Sequence, residues 1–558
     1  MSKTRTMTHT WWKESVIYQI YPRSFKDSNG DGIGDLRGII EKLDYLKELG
    51  VDILWLSPVY ASPNDDNGYD ISDYYRIMPE FGDMAGFDEM LAGIHNRGMK
   101  LVMDLVVNHT SDEHAWFKAS RQSKDNPYRD FYYWKAEKPN NWQSFFSGDA
   151  WTLDPATGEY YLHLFSRRQP DLNWENPKVR QEVYKMMRFW LDKGIDGFRM
   201  DVIPFISKRL DFPDADFSDF GKVVEEVYAN GPRLHEFLQE MFREALADYD
   251  VMTVGEAPGV PPGLANHYVG ESRKELSMIF HFGHMFLDWG PTSKFDVQPW
   301  SLPQFKQVFL AWDRAVGEAG WISIFLDNHD FPRVVSRWGN DGRYRVESAK
   351  MLAILLLTLR GTPSLYQGTE IGMTNVAFPS IEDYRDIETL NAWKTAVAAG
   401  VDPESLLPGI HRQSRDNVRT PIQWTAGPNA GFTTAPEPWI KVNPNYPDIN
   451  AEAVLEDPDS IFYFYKNLLA LRKQHPTLIY GKFEPMEMDH DRLFAYKRWD
   501  ENGVYAVYLN FSDLPLADLP HPGAGTFSWF AGNYEAVDSP VAPLRAWEGR
   551  VWRGEAGE

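Results

Sequence analysis

The chain has 558 residues, 43% hydrophobic and 25% charged, which is room for one large barrel with attachments and a sizeable core. A formal net charge of −23 excludes a nucleic-acid partner, because phosphate binding needs clustered Lys and Arg. With no cysteine, disulfides, thiol catalysis and thiolate metal sites are excluded too.

The start, MSKTRTMTHT, is polar and runs into Trp11 and Trp12 without an apolar leader core. No stretch approaches the roughly 18 apolar residues of a membrane span, so the expectation is a cytoplasmic protein with no membrane partner, as a monomer or weak homo-oligomer. From there, short β-branched runs alternate with helical-period segments, the pattern of βα units around a parallel sheet. The expected strands are Val16–Tyr21, Ile53–Ser57, Leu101–Val107, Gly197–Val202, Val251–Gly255, Met278–Phe282, Ile322–Asp327 and Pro363–Tyr366. Helices are expected at Ile39–Leu49, Val179–Lys193 and Pro232–Tyr249, the last opening on a proline suited to a first helical position. Eight such units close an α/β barrel of the (β/α)8 TIM type, with its active site at the C-terminal ends of the strands.

Two stretches break the rhythm. Residues 110–177 are long, polar and aromatic-rich, and read as an inserted domain after the third strand. Residues 375–430 read as an irregular insertion after the eighth. The barrel thus spans 1–109 and 178–482, and alternating runs across 483–558 predict a C-terminal antiparallel β domain, expected as a sandwich.

Polar residues fall where strands should end: Asp104 and His109, Arg199 and Asp201, Glu256, and His329 with Asp330. A strand-end Asp alone is more often a cap or loop ligand. Carboxylates from three strands aimed into one mouth are harder to explain structurally, because like charges at close range raise one another's pKa. Paired carboxylates are the tools of glycoside hydrolysis. Arg199, two residues before Asp201, lies on the same side of the strand, where it should keep Asp201 ionised, while nearby negative charge should leave Glu256 able to donate a proton.

DLVVNH (104–109), GFRMD (197–201), GE (255–256) and FLDNHD (325–330) resemble the four signature regions of glycoside hydrolase family 13, the α-amylase family. QPDLN (169–173), DNGYDISDY (66–74) and SRDNVRTPIQW (414–424) are similar to its subgroup of oligo-1,6-glucosidases, dextran glucosidases and sucrose isomerases. The resemblance implies a retaining exo-acting α-glucosidase for small oligosaccharides or disaccharides, with Asp201 as nucleophile, Glu256 as acid/base and Asp330 as transition-state stabiliser. It further implies His109, Arg199 and His329 on the terminal glucose, Tyr69 as its stacking platform, and Phe146 and Gln169 as lining. Asp66 and Arg415 would close the pocket behind the non-reducing end. Val202, beside the nucleophile, goes with α-1,6 preference in the subgroup, and Lys294 and Glu388 resemble aglycone contacts.

The sucrose isomerases are the competing resemblance, but their aromatic residues after the acid/base are replaced here by Ala257 and Pro258. Non-catalytic relatives that serve as binding proteins have lost the catalytic carboxylates, which this chain keeps. Asp27, Asn29, Asp31 and Asp35, spaced among glycines, suit a hard cation with the Ile33 carbonyl as a further ligand; the alternative is a polar turn ending in a helix cap at Asp35. The resemblance implies structural Ca2+ there, with Mg2+ as the alternative ion.

Overall fold

Eight parallel strands close on themselves in the computed structural model, which describes residues 10–291 and 293–555. The polar start up to residue 9 lies outside them. The strands are β1 (Ile17–Ile20), β2 (Ile53–Leu56), β3 (Lys100–Leu105), β4 (Gly197–Met200), β5 (Met252–Glu256), β6 (Met278–Phe280), β7 (Ser323–Ile324) and β8 (Thr362–Tyr366). Each lies beside its chain neighbour, and β1 closes the ring against β8 with Ile17 opposite Ser364. All eight expected strands are present, though β7 keeps only two residues of its expected six. Most of their side chains are fully buried, because an outer helical layer covers a parallel sheet.

The helix Pro177–Lys193 shows how sequence sets one such unit. Asn176 caps it by accepting the Lys178 N–H at 3.0 Å, Pro177 opens it, and Gly194 ends it at φ +102°. Val179, Val183, Met186, Met187, Trp190 and Leu191 form its buried stripe. Three residues past Gly194, Gly197 starts β4, where a Cβ would come within 1.9 Å of the Met252 carbonyl oxygen of β5. Only glycine lets β4 and β5 approach this closely.

Two helices differ from expectation. The segment expected at Ile39–Leu49 starts earlier and breaks at Lys42 into Leu36–Glu41 and Leu43–Leu49. The helix expected from Pro232 begins at Leu234, whose N–H donates to the Gly231 carbonyl at 3.1 Å, so Pro232 sits in a preceding turn. It passes into a π-helical turn at Phe242–Leu246.

Between β3 and Pro177 the chain forms a short helix, Ala115–Ser120, and a three-stranded antiparallel sheet. The stretch 375–430 is less irregular than expected, since it contains the helices Ile387–Ala398, Leu407–Gln413 and Asp416–Arg419. C-terminally, β9 (Lys482–Met486), β10 (Leu493–Asp500), β11 (Gly503–Asn510), β12 (Phe527–Gly532) and β13 (Gly549–Gly554) form one antiparallel sheet in the order 9-10-11-13-12. Among the described residues this is a single sheet, not the expected sandwich. Phe494, Tyr496, Val507 and Val551 pack into the barrel's core cluster, and Leu516, Leu519 and Leu544 cover the opposite face around Leu493, Ala495 and Tyr508. Barrel helices and a long loop thus do the covering that a second sheet does in a sandwich. No helix among the described residues is long and apolar enough to cross a membrane.

Candidate active site

The mouth is organised around one guanidinium. Arg199 is 1% exposed; its Nη1 donates to Asp104 Oδ1 at 2.9 Å and to Asp201 Oδ1 at 2.6 Å, and its Nη2 pairs with Glu256 Oε2 at 2.8 Å. The three acids come from the ends of β3, β4 and β5, as strand register requires: Asp104 lies opposite Arg199, and Glu256 ends the strand on its other side. The Asp201 N–H donates to the Leu105 carbonyl at 2.9 Å, which fixes the turn. Val202 follows with φ +34° and ψ +40°, a left-handed conformation that costs a β-branched residue about 1–3 kcal/mol. That twist directs the Val202 N–H to Glu256 Oε2 at 2.9 Å.

Burial, followed by the charge of Glu256, pushes Asp201 well above the usual carboxylate range, against the pull of Arg199. Arg199 pulls Asp201 toward the ionised form, as expected, but does not outweigh burial and Glu256. Its one positive charge is divided among three acids, and burial also pushes Asp104 up to about 6.

Aromatic rings form the next layer. Tyr69 and Trp55 donate to Asp104 Oδ2 at 3.0 and 3.1 Å, and the Tyr69 ring stacks on His329 with centroids 5.1 Å apart and planes 10° from parallel. His109 lies 3.1 Å from the Tyr69 carbonyl through Nε2, and burial pushes it down to about 4, so it is a neutral donor. Gln169 donates to Asp66 Oδ2 at 3.1 Å.

A second arginine closes the far side. Arg415 pairs with Asp66 at 3.2 Å, Asp330 at 3.2 Å, Asp386 at 2.6 Å and Glu388 at 3.6 Å, and its guanidinium lies 5.1 Å from the Phe146 ring centre. Glu388 also pairs with Lys294, so both expected aglycone contacts join this network. Burial alone would raise Asp330, but His329, Arg415 and Arg419 together hold it far below the usual carboxylate range. Burial wins at Asp66, which is pushed up to about 6 against Arg415 and Arg419.

Sequence reasoning missed two members. Asp386 anchors Arg415 while capping the helix Ile387–Ala398, and its only signal was an Asp three residues before a Thr in an irregular stretch. Arg419, 3.0 Å from Asp330, was signalled by its place four residues after Arg415, on the same helical face.

The loop at 27–35 stands apart from this network and packs on a later segment, with the Asp27 N–H donating to the Phe432 carbonyl at 3.1 Å and Thr433 Oγ1 donating to Asp27 Oδ2. Asp27, Asn29 and Asp31 each accept, through Oδ1, the N–H two residues on, at 2.9, 3.0 and 2.9 Å. This repeated turn sets alternate side-chain oxygens along one short loop, and oxygen donors of this kind are those that suit a hard cation. Among the described residues no three acidic, histidine or cysteine side chains cluster as a metal site, and Asp27, Asp31 and Asp35 are no exception. Asp35 also caps the helix Leu36–Glu41 by accepting the Gly38 N–H at 2.7 Å.

The chain is similar to known proteins along nearly its whole length. The family model for the alpha amylase catalytic domain matches residues 19–481. An oligo-1,6-glucosidase from Parageobacillus thermoglucosidasius is 59% identical, covering 98% of this chain and 99% of its own. A glucan 1,6-alpha-glucosidase from Streptococcus dysgalactiae subsp. equisimilis is 51% identical over 91% and 92%. Among solved structures, a trehalulose synthase variant in complex with Tris has a TM-score of 0.94 at 45% identity, covering 98% of this chain and 100% of that one. An isomaltulose synthase variant from Erwinia rhapontici in complex with sucrose has a TM-score of 0.94 at 44% identity, with the same coverage.

Proposed function

This chain belongs to the α-amylase family, and from that premise we propose how its mouth cleaves a glucoside. It is a glycoside hydrolase, an α-glucosidase of the oligo-1,6-glucosidase type. One observation carries the reading of its site: Arg199 holds Asp201 and Glu256 side by side, at 2.6 and 2.8 Å. Two carboxyls this close suit the retaining mechanism, in which one is a nucleophile and the other an acid/base.

In the proposed sequence, Glu256 carries the acid proton, which passes to the glycosidic oxygen as the C1–O bond breaks. Asp201 bonds to C1 and forms a glucosyl ester. Glu256, now a carboxylate, takes a proton from water as the water oxygen attacks C1 and the ester bond from C1 to Asp201 breaks; Asp201 is a carboxylate again, Glu256 is protonated again, and glucose leaves with its configuration retained. Asp330, kept anionic by Arg415 and Arg419, faces the positive charge that develops at the anomeric centre.

The Arg415–Asp66 pair walls off the pocket behind the non-reducing sugar, which supports exo action. Val202 beside the nucleophile, with Lys294 and Glu388 on the aglycone side, supports α-1,6 preference on isomaltose, isomaltulose or short isomalto-oligosaccharides, with glucosyl transfer at high sugar concentration. We place its work in the cytoplasm, as a monomer or weak homo-oligomer. Ca2+, or Mg2+ in its stead, would be held by Asp27, Asn29, Asp31, Asp35 and the Ile33 carbonyl, where it neutralises charge and stiffens the loop.

The test is kcat/KM across isomaltose, isomaltulose, panose, maltose and sucrose with products separated by chromatography. The expected leader is an α-1,6 substrate yielding glucose. The solved sucrose isomerases favour a second reading, on which sucrose would be converted to isomaltulose or trehalulose. Ala257 and Pro258 after the acid/base count against it, since neither is an aromatic ring that retains fructose. Asp201→Asn is expected to abolish release of p-nitrophenol from its α-glucoside; unchanged release would refute the assignment of the nucleophile.

A further inference from the structure

Gln19 lies in β1, 1% exposed, among apolar neighbours, and no role has yet been given to it. Its side-chain nitrogen is 2.8 Å from His329 Nδ1 and 3.2 Å from Ser57 Oγ. Among the described residues its Oε1 has no hydrogen-bond partner, a cost that a buried amide rarely bears without a reason. At the other end of the imidazole, Nε2 is 3.3 Å from Asp330 Oδ2.

The protonation state of the ring follows from its surroundings. Burial, aided by Arg199, Arg419 and Arg415 and opposed by Asp330, pushes His329 down to about 3, so the ring is neutral and carries one N–H. Asp330 is an anion that can only accept, and with its Oδ2 3.3 Å from Nε2 its charge favours the N–H on that nitrogen. Nδ1 is then a bare lone pair that needs a donor. Of the two ends of the Gln19 amide, only the nitrogen supplies one, and its two hydrogens match the two acceptors, Nδ1 and Ser57 Oγ. The remaining faces of the ring meet Tyr69, Tyr21 and Trp55, at centroid distances of 5.1, 6.2 and 5.9 Å.

We propose that Gln19 is a positioning residue that holds His329 in the Nε2–H tautomer, so that this N–H is presented beside Asp330 to a hydroxyl of the bound glucosyl unit. The proposal rests on the glucosidase reading. It explains why a polar side chain occupies an otherwise apolar strand under the pocket, and it makes the tautomer a joint property of β1 and of the β7 end that carries His329 and Asp330.

Two variants and one spectrum test it. Gln19→Met keeps the volume and removes the donor, and kcat on p-nitrophenyl α-glucoside should fall about tenfold at every pH, as expected for loss of a buried hydrogen bond. Gln19→Glu sets a carboxylate against Nδ1 and demands a hydrogen there. At acidic pH the ring is then doubly protonated and still offers Nε2–H; as pH rises the remaining proton stays on Nδ1 and Nε2 becomes bare. Activity of Gln19→Glu relative to the unaltered enzyme should therefore fall with rising pH, a trend that loss of packing alone does not produce. A Gln19→Glu profile parallel to that of the unaltered enzyme, or a Gln19→Met kcat within about twofold of it, would overturn the proposal. Nitrogen NMR of the unaltered, histidine-labelled protein, assigned with a folded His329→Gln variant, reads the tautomer directly and does not depend on activity. A protonated Nδ1 there refutes the proposal, whereas failure to turn over any glucoside would refute the functional reading instead.

Discussion

Arg199 and Arg415 divide the acids of the mouth between them, and the division decides which carboxylates stay charged. Asp330, faced by Arg415, Arg419 and His329, stays anionic, whereas Asp66, deeper and less fully compensated, rises to about 6. As pH falls through that value Asp66 gains a proton and its attraction for Arg415 is lost, so KM for isomaltose should rise on the acid side. In Asp66→Asn, KM should be raised and flat across the same range; a KM profile that still bends near pH 6 would assign the titration to another group. Arg199, Asp201, Glu256, His329 and Asp330 were legible in the sequence, because strand-end motifs place chemistry-bearing side chains at fixed offsets. Asp386 and Gln19 were not. The first lies in a stretch with no periodicity, and the second reads as one polar residue in a buried strand until its contact with His329 is seen.

Between residue and fold, loops carry the mouth. Lys208, on the segment after β4, forms a fully buried ion pair with Asp171 of the segment after β3, Nζ to Oδ2 at 2.8 Å, and also donates to Asn108 Oδ1 at 3.1 Å. Removing one partner of such a pair strands a buried charge, so Lys208→Met should cost about 3–5 kcal/mol of stability in denaturant melts. Lys208→Met with Asp171→Asn, which keeps an acceptor for the Leu164 N–H, should recover much of that loss; an additive double variant would mean the two side chains do not act as a pair. QPDLN was visible in the sequence as a motif, but its partner was not, because the pairing spans 37 positions and no local period signals it. Helix ends were misread for a related reason. Pro232 suits a first helical position and a turn equally well, and only the Leu234 to Gly231 bond decides between them.

At the scale of the whole molecule, the barrel was the most legible part, since eight β-branched runs in the right order admit few other closures. The C-terminal sheet was legible as strands but not as one layer, because a strand's pattern of apolar residues says which of its faces are buried without saying what covers them. The loop at 27–35 ties the start of the barrel to residues 432–433 across more than 400 positions, so a bound ion would act on global stability and not on chemistry. Chelation is expected to lower Tm while leaving kcat at low temperature unchanged. The size follows from ion occupancy, about 2.7 kcal/mol when free Ca2+ exceeds Kd about a hundredfold. An identical Tm with and without chelator would rule out structural Ca2+ or Mg2+ at this loop.

On the proposed reading, the ion pair of Arg415 and Asp66 seals the pocket behind its sugar and leaves one doorway. Whatever enters first leaves last: the aglycone must vacate the threshold before water can arrive, and glucose must then back out along the same route. Free glucose waiting outside therefore contests every fresh arrival. It should slow the enzyme as a rival for the empty chamber, raising KM and leaving kcat alone, and initial-rate measurements with added glucose read that pattern directly.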